Sequence, residues 1–385
     1  MIPKESNILV GIDASRNRSG GAKSHILGML RAGDPISYGI RKVHLWSFGE
    51  LLNALPDVPW LVKHNPRELE RSLFHQVLWQ YRSLPKEATK LGCDLLFNTD
   101  AGSVCRWCPA VVMSQDMLSY EPREMRRYGL SFGRLRLLAL KYIQASSMKR
   151  AVGVIFLSNY AAMSIQRVIG KLPRVCVIPH GVGAEFRRRS PGGLKNQTSS
   201  EAIRCLYVSN TLMYKHQWHV VRALGQLRKR GYNVVLSLVG GGKGKAQERL
   251  LEEIAFTDPQ RQFVETVDFV RHEEVPVYLA NADLFVFASS CENMPITLVE
   301  AMASGLPIAC SNRGPMPEVL GDGGVLFDPQ VPESIANAIE SIITNRDLRD
   351  SIAKRAQHLS EQYSWERCAA GTWKFLRECV LDQTI

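Results

Sequence analysis

Short apolar runs, each followed by a segment with helical spacing, recur along the chain. Residues 7–12 (NILVGI) are followed by a Gly/Ser-rich turn and a helical pattern over 23–30. This reads as strand, loop, helix. Similar runs stand at 43–46, 94–97, 110–113, 152–157 and 175–178, most separated by helix-length segments. After Ile178-Pro179-His180-Gly181 the chain turns polar through Arg187-Arg188-Arg189-Ser190-Pro191-Gly192-Gly193. That composition predicts a linker at 187–203. A second alternating set follows at 203–208, 233–239, 262–267, 284–287 and 307–310. Buried strands alternating with helices predict parallel sheets covered on both faces. The expected fold class is α/β, with two Rossmann-like domains facing each other across a cleft. Their spans would be 1–186 and 204–362, and a C-terminal helix over 363–385 would pack back on the first domain.

Composition narrows the picture. The chain has 385 residues, 45% of them hydrophobic and 22% charged, which is ordinary for two globular domains. No stretch reaches the ~18 uninterrupted apolar residues of a membrane span. The segment Met1 to Ser6 runs into the first strand without a signal core, so a cytoplasmic location is expected. The nine cysteines sit mostly in apolar segments and read as reduced core thiols. Cys105-Arg106-Trp107-Cys108 has chelate spacing but no second pair to complete four zinc ligands, so buried thiols are expected there too.

The net charge of +11 is unevenly placed. Residues 1–200 hold 29 Lys+Arg against 14 Asp+Glu, whereas 201–385 hold 19 against 23. The first half is therefore expected to meet something anionic. Residues 123–150 hold eight basic residues and one acid, interleaved with Leu130, Phe132, Leu135, Leu137, Leu138, Leu140 and Ile143. Two readings stand open: a helix buried on one side and solvated on the other, or a surface for an anionic membrane or a lipid-diphosphate acceptor.

The most informative segment runs from Ser289 to Gly305, SSCENMPITLVEAMASG. It follows an apolar strand, with Pro295 where a helix would start and Gly305 where it would stop. Backbone N–H groups of residues 293–297 would then face an anion. Glu292 precedes the helix, and Glu300 lies inside it on the same face as Thr297. Two carboxylates beside such amides suit a ligand rich in both hydroxyls and phosphates. Several other motifs lack the context their chemistry needs. Gly129-Leu130-Ser131-Phe132-Gly133 has no strand before it to form a nucleophile elbow. Gly240-Gly241-Gly242-Lys243-Gly244-Lys245 lacks phosphate-loop spacing. His216 and His219 lack a third metal ligand.

The Glu-x7-Glu segment with Glu-Ala-Met-Ala-Ser-Gly-Leu-Pro behind it resembles the retaining glycosyltransferases of family 4, the glycosyl transferases group 1, which have the GT-B fold. Further similarities are Ser19-Gly20-Gly21-Ala22, Gln115-Asp116, Ile178-Pro179-His180-Gly181, Tyr214-Lys215-His216 and Pro315-Met316-Pro317-Glu318. The resemblance implies a nucleotide-diphosphate sugar bound mainly by the second domain and an acceptor bound mainly by the first. It implies that Glu300 holds the ribose, Glu292 the hexose, and Asn293, Met294, Pro295 and Thr297 the diphosphate through backbone groups. Lys215 would be the phosphate cation, the Gly20-Gly21 turn would approach the same diphosphate, and Phe269 and Val270 would touch the base. Asp116 would be the acceptor-side acid, making Glu292, Lys215 and Asp116 the catalytic set. Asn210, after Ser209, joins the donor site where many members carry Arg, and Gln115 stands where many carry His. Gln bonds a hydroxyl but cannot shuttle a proton near neutral pH.

The expected activity is thus metal-independent, retaining transfer of a hexose to a glycan or lipid-linked acceptor in cell-envelope polysaccharide assembly, at the inner face of the membrane. No cofactor is expected beyond the donor sugar nucleotide, and no Asp-x-Asp pair is present to carry a metal. The alternatives are a sugar-nucleotide epimerase or hydrolase, and a non-catalytic binder of nucleotide sugars or nucleic acid. No ribonucleoprotein-type signature supports nucleic acid.

Overall fold

The computed structural model describes residues 7–18, 20–187 and 201–383. Ser19, Arg188, Arg189 and most of the expected linker lie outside the described residues. The chain forms two compact units, one holding the described residues up to Gly181 and those from Tyr363 onward, the other those from Val182 to Gln362.

The first unit is built on seven strands: β1 (Ile8–Asp13), β2 (Ile40–Trp46), β3 (Leu61–His64), β4 (Leu95–Asn98), β5 (Ala110–Met113), β6 (Gly153–Phe156) and β7 (Val175–Val177). Their order is β3-β2-β1-β4-β5-β6-β7, with every pair parallel. The second unit has β8 (Ile203–Val208), β9 (Val234–Val239), β10 (Val264–Val267), β11 (Leu284–Phe287), β12 (Ile308–Ser311) and β13 (Val325–Phe327). Their order is β10-β9-β8-β11-β12-β13, again all parallel. Both are doubly wound sheets whose order reverses beside the first strand of the unit, β1 or β8. The α/β expectation is met. Strands β3 and β13 are absent from the sequence reading. Both lie at sheet edges, where one side lacks a partner strand and the apolar run is short: LVKH in β3, and three residues with exposed Leu326 in β13.

Strands β4, β5, β6, β11 and β12 are buried at every residue, because helices cover both sheet faces. Helix Gly20–Ala32 packs against the last helix, Trp365–Leu381, and Trp373 is fully buried there. The chain passes under that helix at Pro179-His180-Gly181, and a Cβ at Gly181 would overlap the backbone of Ser364 and Trp365. No other residue fits there.

His180 and His25 meet beneath Trp365, with Nδ1 to Nδ1 at 2.9 Å and the His25 and Trp365 rings 6.1 Å apart. The bond requires one ring to donate and the other to accept, so the two cannot both be charged. Burial lowers His25 well below the usual histidine value and takes His180 down to about 4.

Seven of the nine cysteines are buried, but Cys108 is exposed, which corrects the expectation of two buried thiols at Cys105 and Cys108. Burial pushes Cys105 up to about 12. Its partner follows Trp107 around the loop into solvent. No helix among the described residues is long and apolar enough to cross a membrane.

A histidine whose folded pKa is depressed contributes stability that is present above its unfolded value, 6.5, and lost as the pH falls. Each of the two should remove up to about 1.4 kcal/mol per pH unit below that value. Denaturant titration from pH 7 to 5 should therefore show stability falling, and NMR should show neither ring titrating in that range. Ordinary titration of both rings near pH 6.5 would refute the buried neutral pair.

Candidate functional site

The sheet of the second unit brings its chemistry to one end. Register pairs Val208 with Val239 and Val239 with Val267, while Leu206 pairs with Phe285 and Phe287 with Cys310. The loops starting at Ser209, Gly240, Asp268, Ala288 and Asn312 therefore leave from one line, at the carboxyl ends of the strands. Gly240 has φ 131, and a Cβ there would sit 2.6 Å from the Ser209 backbone, which lets two of these loops run side by side. The run Gly240 to Lys245 is thus a turn after β9 leading into helix Lys245–Thr257.

From β8 the chain runs through Ser209, Asn210 and Thr211 to Lys215 and His216. Asn210 is exposed. The Tyr207 hydroxyl, fully buried in β8, donates to the Lys215 carbonyl at 2.7 Å and pins this loop. His216 takes a left-handed conformation with φ 50, which turns the chain into helix Gln217–Lys229. Its Nε2 bonds Ser290 Oγ at 2.8 Å, and the Ser290 amide donates to the Tyr214 carbonyl at 2.8 Å. Ser290 and His216 thereby tie the loops after β8 and β11 together. His219 Nδ1 bonds the Pro329 carbonyl at 2.8 Å, so the two histidines have structural partners.

That tie places Lys215 against Glu292. The Lys215 ammonium is bonded to Glu292 Oε1, and both side chains are nearly buried. The ammonium also lies 5.4 Å from the ring centres of Tyr214 and Phe287. Beyond Glu292 come buried Asn293, Met294 and Pro295, then helix Ile296–Ala303, which closes at left-handed Gly305. The expected start and stop both hold. One correction concerns Pro295: it has no N–H, so it cannot supply one of the amides expected from residues 293–297. Its role is to start the helix, leaving Ile296 and Thr297 as first-turn amides with no preceding turn to bond.

Glu300 lies one turn further in and is 1% exposed, which excludes a solvated face residue. The helix must sit deep for this, and Leu298, Val299, Ala301 and Met302 pack it down. Glu300 Oε1 bonds His272 Nε2 at 2.6 Å, whereas Oε2 is buried without a protein partner. The Glu300 bond raises the His272 imidazole above its ordinary value. Burial pushes Glu300 up as well, against the His272 bond that pulls it down. The His272 ring also lies against Phe186, tilted by 47° at 5.4 Å between ring centres. Sequence reasoning missed His272 because a lone histidine 28 residues before its partner carries no spacing signal. Phe269, which is 79% exposed, and half-buried Val270 lie on the same loop after β10, so the structure groups them with His272.

The other expected residues belong to the first unit. Gly20 opens its helix with φ 59 and open space beside it, and Gly21 follows. Asn17 donates to the Ala22 carbonyl at 2.9 Å and accepts from Thr99 Oγ1 at 2.6 Å, which fastens this turn to the end of β4. Asp116, after β5, caps the turn Leu118–Tyr120: it accepts from the Leu118 amide at 3.1 Å and from Ser119 and Gln144 at 3.4 Å. Burial raises its pKa. Gln115 donates to the Thr99 carbonyl at 2.7 Å. Ser131, rejected as a nucleophile, caps helix Phe132–Arg150 by accepting from the Arg134 amide.

Residues 195–359 match the family model described as "Glycosyl transferases group 1". The O-antigen chain mannosyltransferase B of Escherichia coli is 29% identical over 141 residues, 37% of this chain and 36% of that protein. A GDP-mannose-dependent alpha-(1-6)-phosphatidylinositol monomannoside mannosyltransferase of Mycobacterium tuberculosis is 26% identical over 254 residues, 60% of this chain and 65% of that protein. The chain thus spans from 36% to 65% of the length of these curated relatives. Among solved structures, a sucrose-phosphate synthase from Thermosynechococcus elongatus aligns with TM-score 0.77 at 18% identity, over 98% of this chain and 100% of the other. Anabaena HepE in complex with UDP and glucose aligns with TM-score 0.72 at 18% identity, over 96% and 98%. At these identities the likeness concerns the fold, and the fold class is that of the GT-B proteins.

The raised His272 pKa has a definite sign. Its contribution to stability is complete below 6.5 and is lost as the pH rises through the folded value. Replacing His272→Ala should therefore lower the unfolding midpoint more near pH 6 than near pH 9. An equal loss at both ends of a calorimetric pH series would show that the pair does not share its charge.

Proposed function

We propose that this chain is a retaining, metal-independent glycosyltransferase that moves a hexose from a nucleotide-diphosphate sugar to a glycan or lipid-linked acceptor in cell-envelope assembly. The observation that carries this reading is the buried, unpartnered Oε2 of Glu300, on the same helix as the first-turn amides that follow Glu292 and Lys215. A buried carboxylate oxygen without a donor is costly unless a ligand supplies one. Vicinal ribose hydroxyls are such donors. The match of residues 195–359 to glycosyl transferases group 1 and the two mannosyltransferase relatives support the same reading.

In this mechanism Glu300, oriented by His272, takes the ribose hydroxyls, while Phe269 and Val270 lie along the base. The amides of Ile296 and Thr297, with Asn293 and Met294 before them, face the diphosphate, and Asn210 contributes to the same donor site. Lys215 is held by Glu292 in the free protein. As the bond from the anomeric carbon to the diphosphate oxygen breaks, its electron pair passes to the leaving diphosphate. Lys215, exchanging Glu292 for the phosphate, and the helix amides stabilise that charge. Glu292 then bonds the hexose hydroxyls. The acceptor oxygen attacks the anomeric carbon from the face the diphosphate leaves, and its proton passes to the departing phosphate oxygen. Asp116, kept more basic by burial, is the acceptor-side carboxyl. The donor is a substrate, and no further cofactor takes part.

Replacing Glu300→Gln or Lys215→Ala should each weaken donor turnover by roughly 10- to 100-fold, the range for losing a hydrogen bond to a charged group. A thermal-shift panel of nucleotide sugars, followed by mass spectrometry of sugar release with and without membrane extract, checks this. Full turnover in either folded variant would sink the site assignment. Conversion of the sugar without any acceptor would favour an epimerase or hydrolase.

A further inference from the structure

The helix Phe132–Arg150 is 19 residues long, yet only Gln144, Ser147 and Met148 of it are buried. Of the two readings left open for this stretch, a helix buried on its apolar side does not hold. Phe132 is 82% exposed, Leu135 63%, Leu138 47% and Tyr142 77%, and Leu130 just before the helix is fully exposed. Spacings of three and four residues put Phe132, Leu135, Leu138 and Tyr142 on one face. Along the same face Ser146 and Arg150 continue the line. Beside it stands helix Leu73–Arg82, with Leu73 60% and Phe74 72% exposed. The two helices share a groove of about 340 Å³, lined by Phe74, Leu78, Tyr81 and Val104 on one side and Tyr142 and Ile143 on the other. Arg106 and Arg150 line it too, with the Arg106 guanidinium 5.7 Å from the Tyr81 ring centre.

Water-exposed apolar groups of this size are not left in a row unless something covers them. The charge around them says what. Of the basic residues in 123–150, Arg127 is paired with Glu124 at 2.6 Å, and Glu124 is the single acid of the stretch. Arg134, Arg136, Lys141, Lys149 and Arg150 share the turns that carry the stripe, and helix Phe132–Arg150 holds no acid. An apolar stripe bordered by cations fits the boundary of an anionic bilayer, where side chains enter the acyl region and cations meet phosphates.

We propose that this face of the first unit docks on an anionic phospholipid membrane, with Phe132, Leu135, Tyr142 and Phe74 inserted, and that the groove receives an acyl chain of that lipid layer. The proposal deepens the acceptor half of the function above. It relies on that reading only for what the membrane supplies, and the docking stands on the two helices themselves.

The test is co-sedimentation of the full chain with vesicles of phosphatidylcholine alone and of an equal mixture with phosphatidylglycerol, at low and high salt. Nucleotide-sugar binding is measured on the same sample by calorimetry. The chain should pellet with the mixed vesicles at least about tenfold more than with phosphatidylcholine, and less at high salt. The exposed pair Arg136→Glu with Lys149→Glu should lower that partition by about tenfold or more. Phe132→Ser with Leu135→Ser should do the same with the fold and nucleotide binding unchanged. Failure to pellet with anionic vesicles, or pelleting unaffected by both pairs, overturns the proposal. If nucleotide binding persists in that case, the functional reading survives it; if vesicles bind but no nucleotide sugar does, the docking survives and the functional reading falls.

Discussion

A parallel sheet with helices on both faces has only its strand ends left for chemistry, and everything polar in the second unit follows from that restriction. Three ionisable groups, Lys215, Glu292 and Glu300, are brought to the end where β8 and β11 part, and all three are largely removed from water. Isolated charges there would be strongly destabilising. Pairing resolves most of this: Lys215 with Glu292, and Glu300 with His272. Tyr207 and Ser290 hold the backbones that make the pairs meet. The second oxygen of Glu300 is buried without a protein partner.

The first unit solves the same restriction differently. At the ends of β1 and β4 the buried groups form a closed network. Asp13 accepts from Gln80 at 2.5 Å and from the Ser15 amide at 3.1 Å, and Ser103 bonds Asn98 at 3.0 Å. Burial raises Asp13 in pKa, and its neighbours are amides and hydroxyls more than cations. A satisfied network of this kind stiffens the sheet end without presenting a free charge. Five cations of this unit lie instead on helix Phe132–Arg150, beside exposed apolar side chains. The positive excess of the first half of the sequence is thus partly a property of one face.

Legibility followed physical locality. Interior strands such as β4, β5 and β11 announce themselves because both of their faces are apolar, and the helix after Glu292 does so because proline and glycine bracket it. Edge strands β3 and β13 do not, since half of their environment is solvent. Glu292, Glu300 and Lys215 were legible as types at a spacing, but that Lys215 pairs with Glu292 depends on two loops 77 residues apart. His272 was invisible for the same reason.

The basic stretch marks the division most clearly. By itself the sequence determined that residues 123–150 would be cationic and apolar, and that two α/β units would follow one another, because composition and periodicity are local properties. Whether the leucines of that stretch are buried was decided only by tertiary structure. Burial depends on what other elements arrive to cover a face, and among the described residues none does over Phe132, Leu135 and Tyr142.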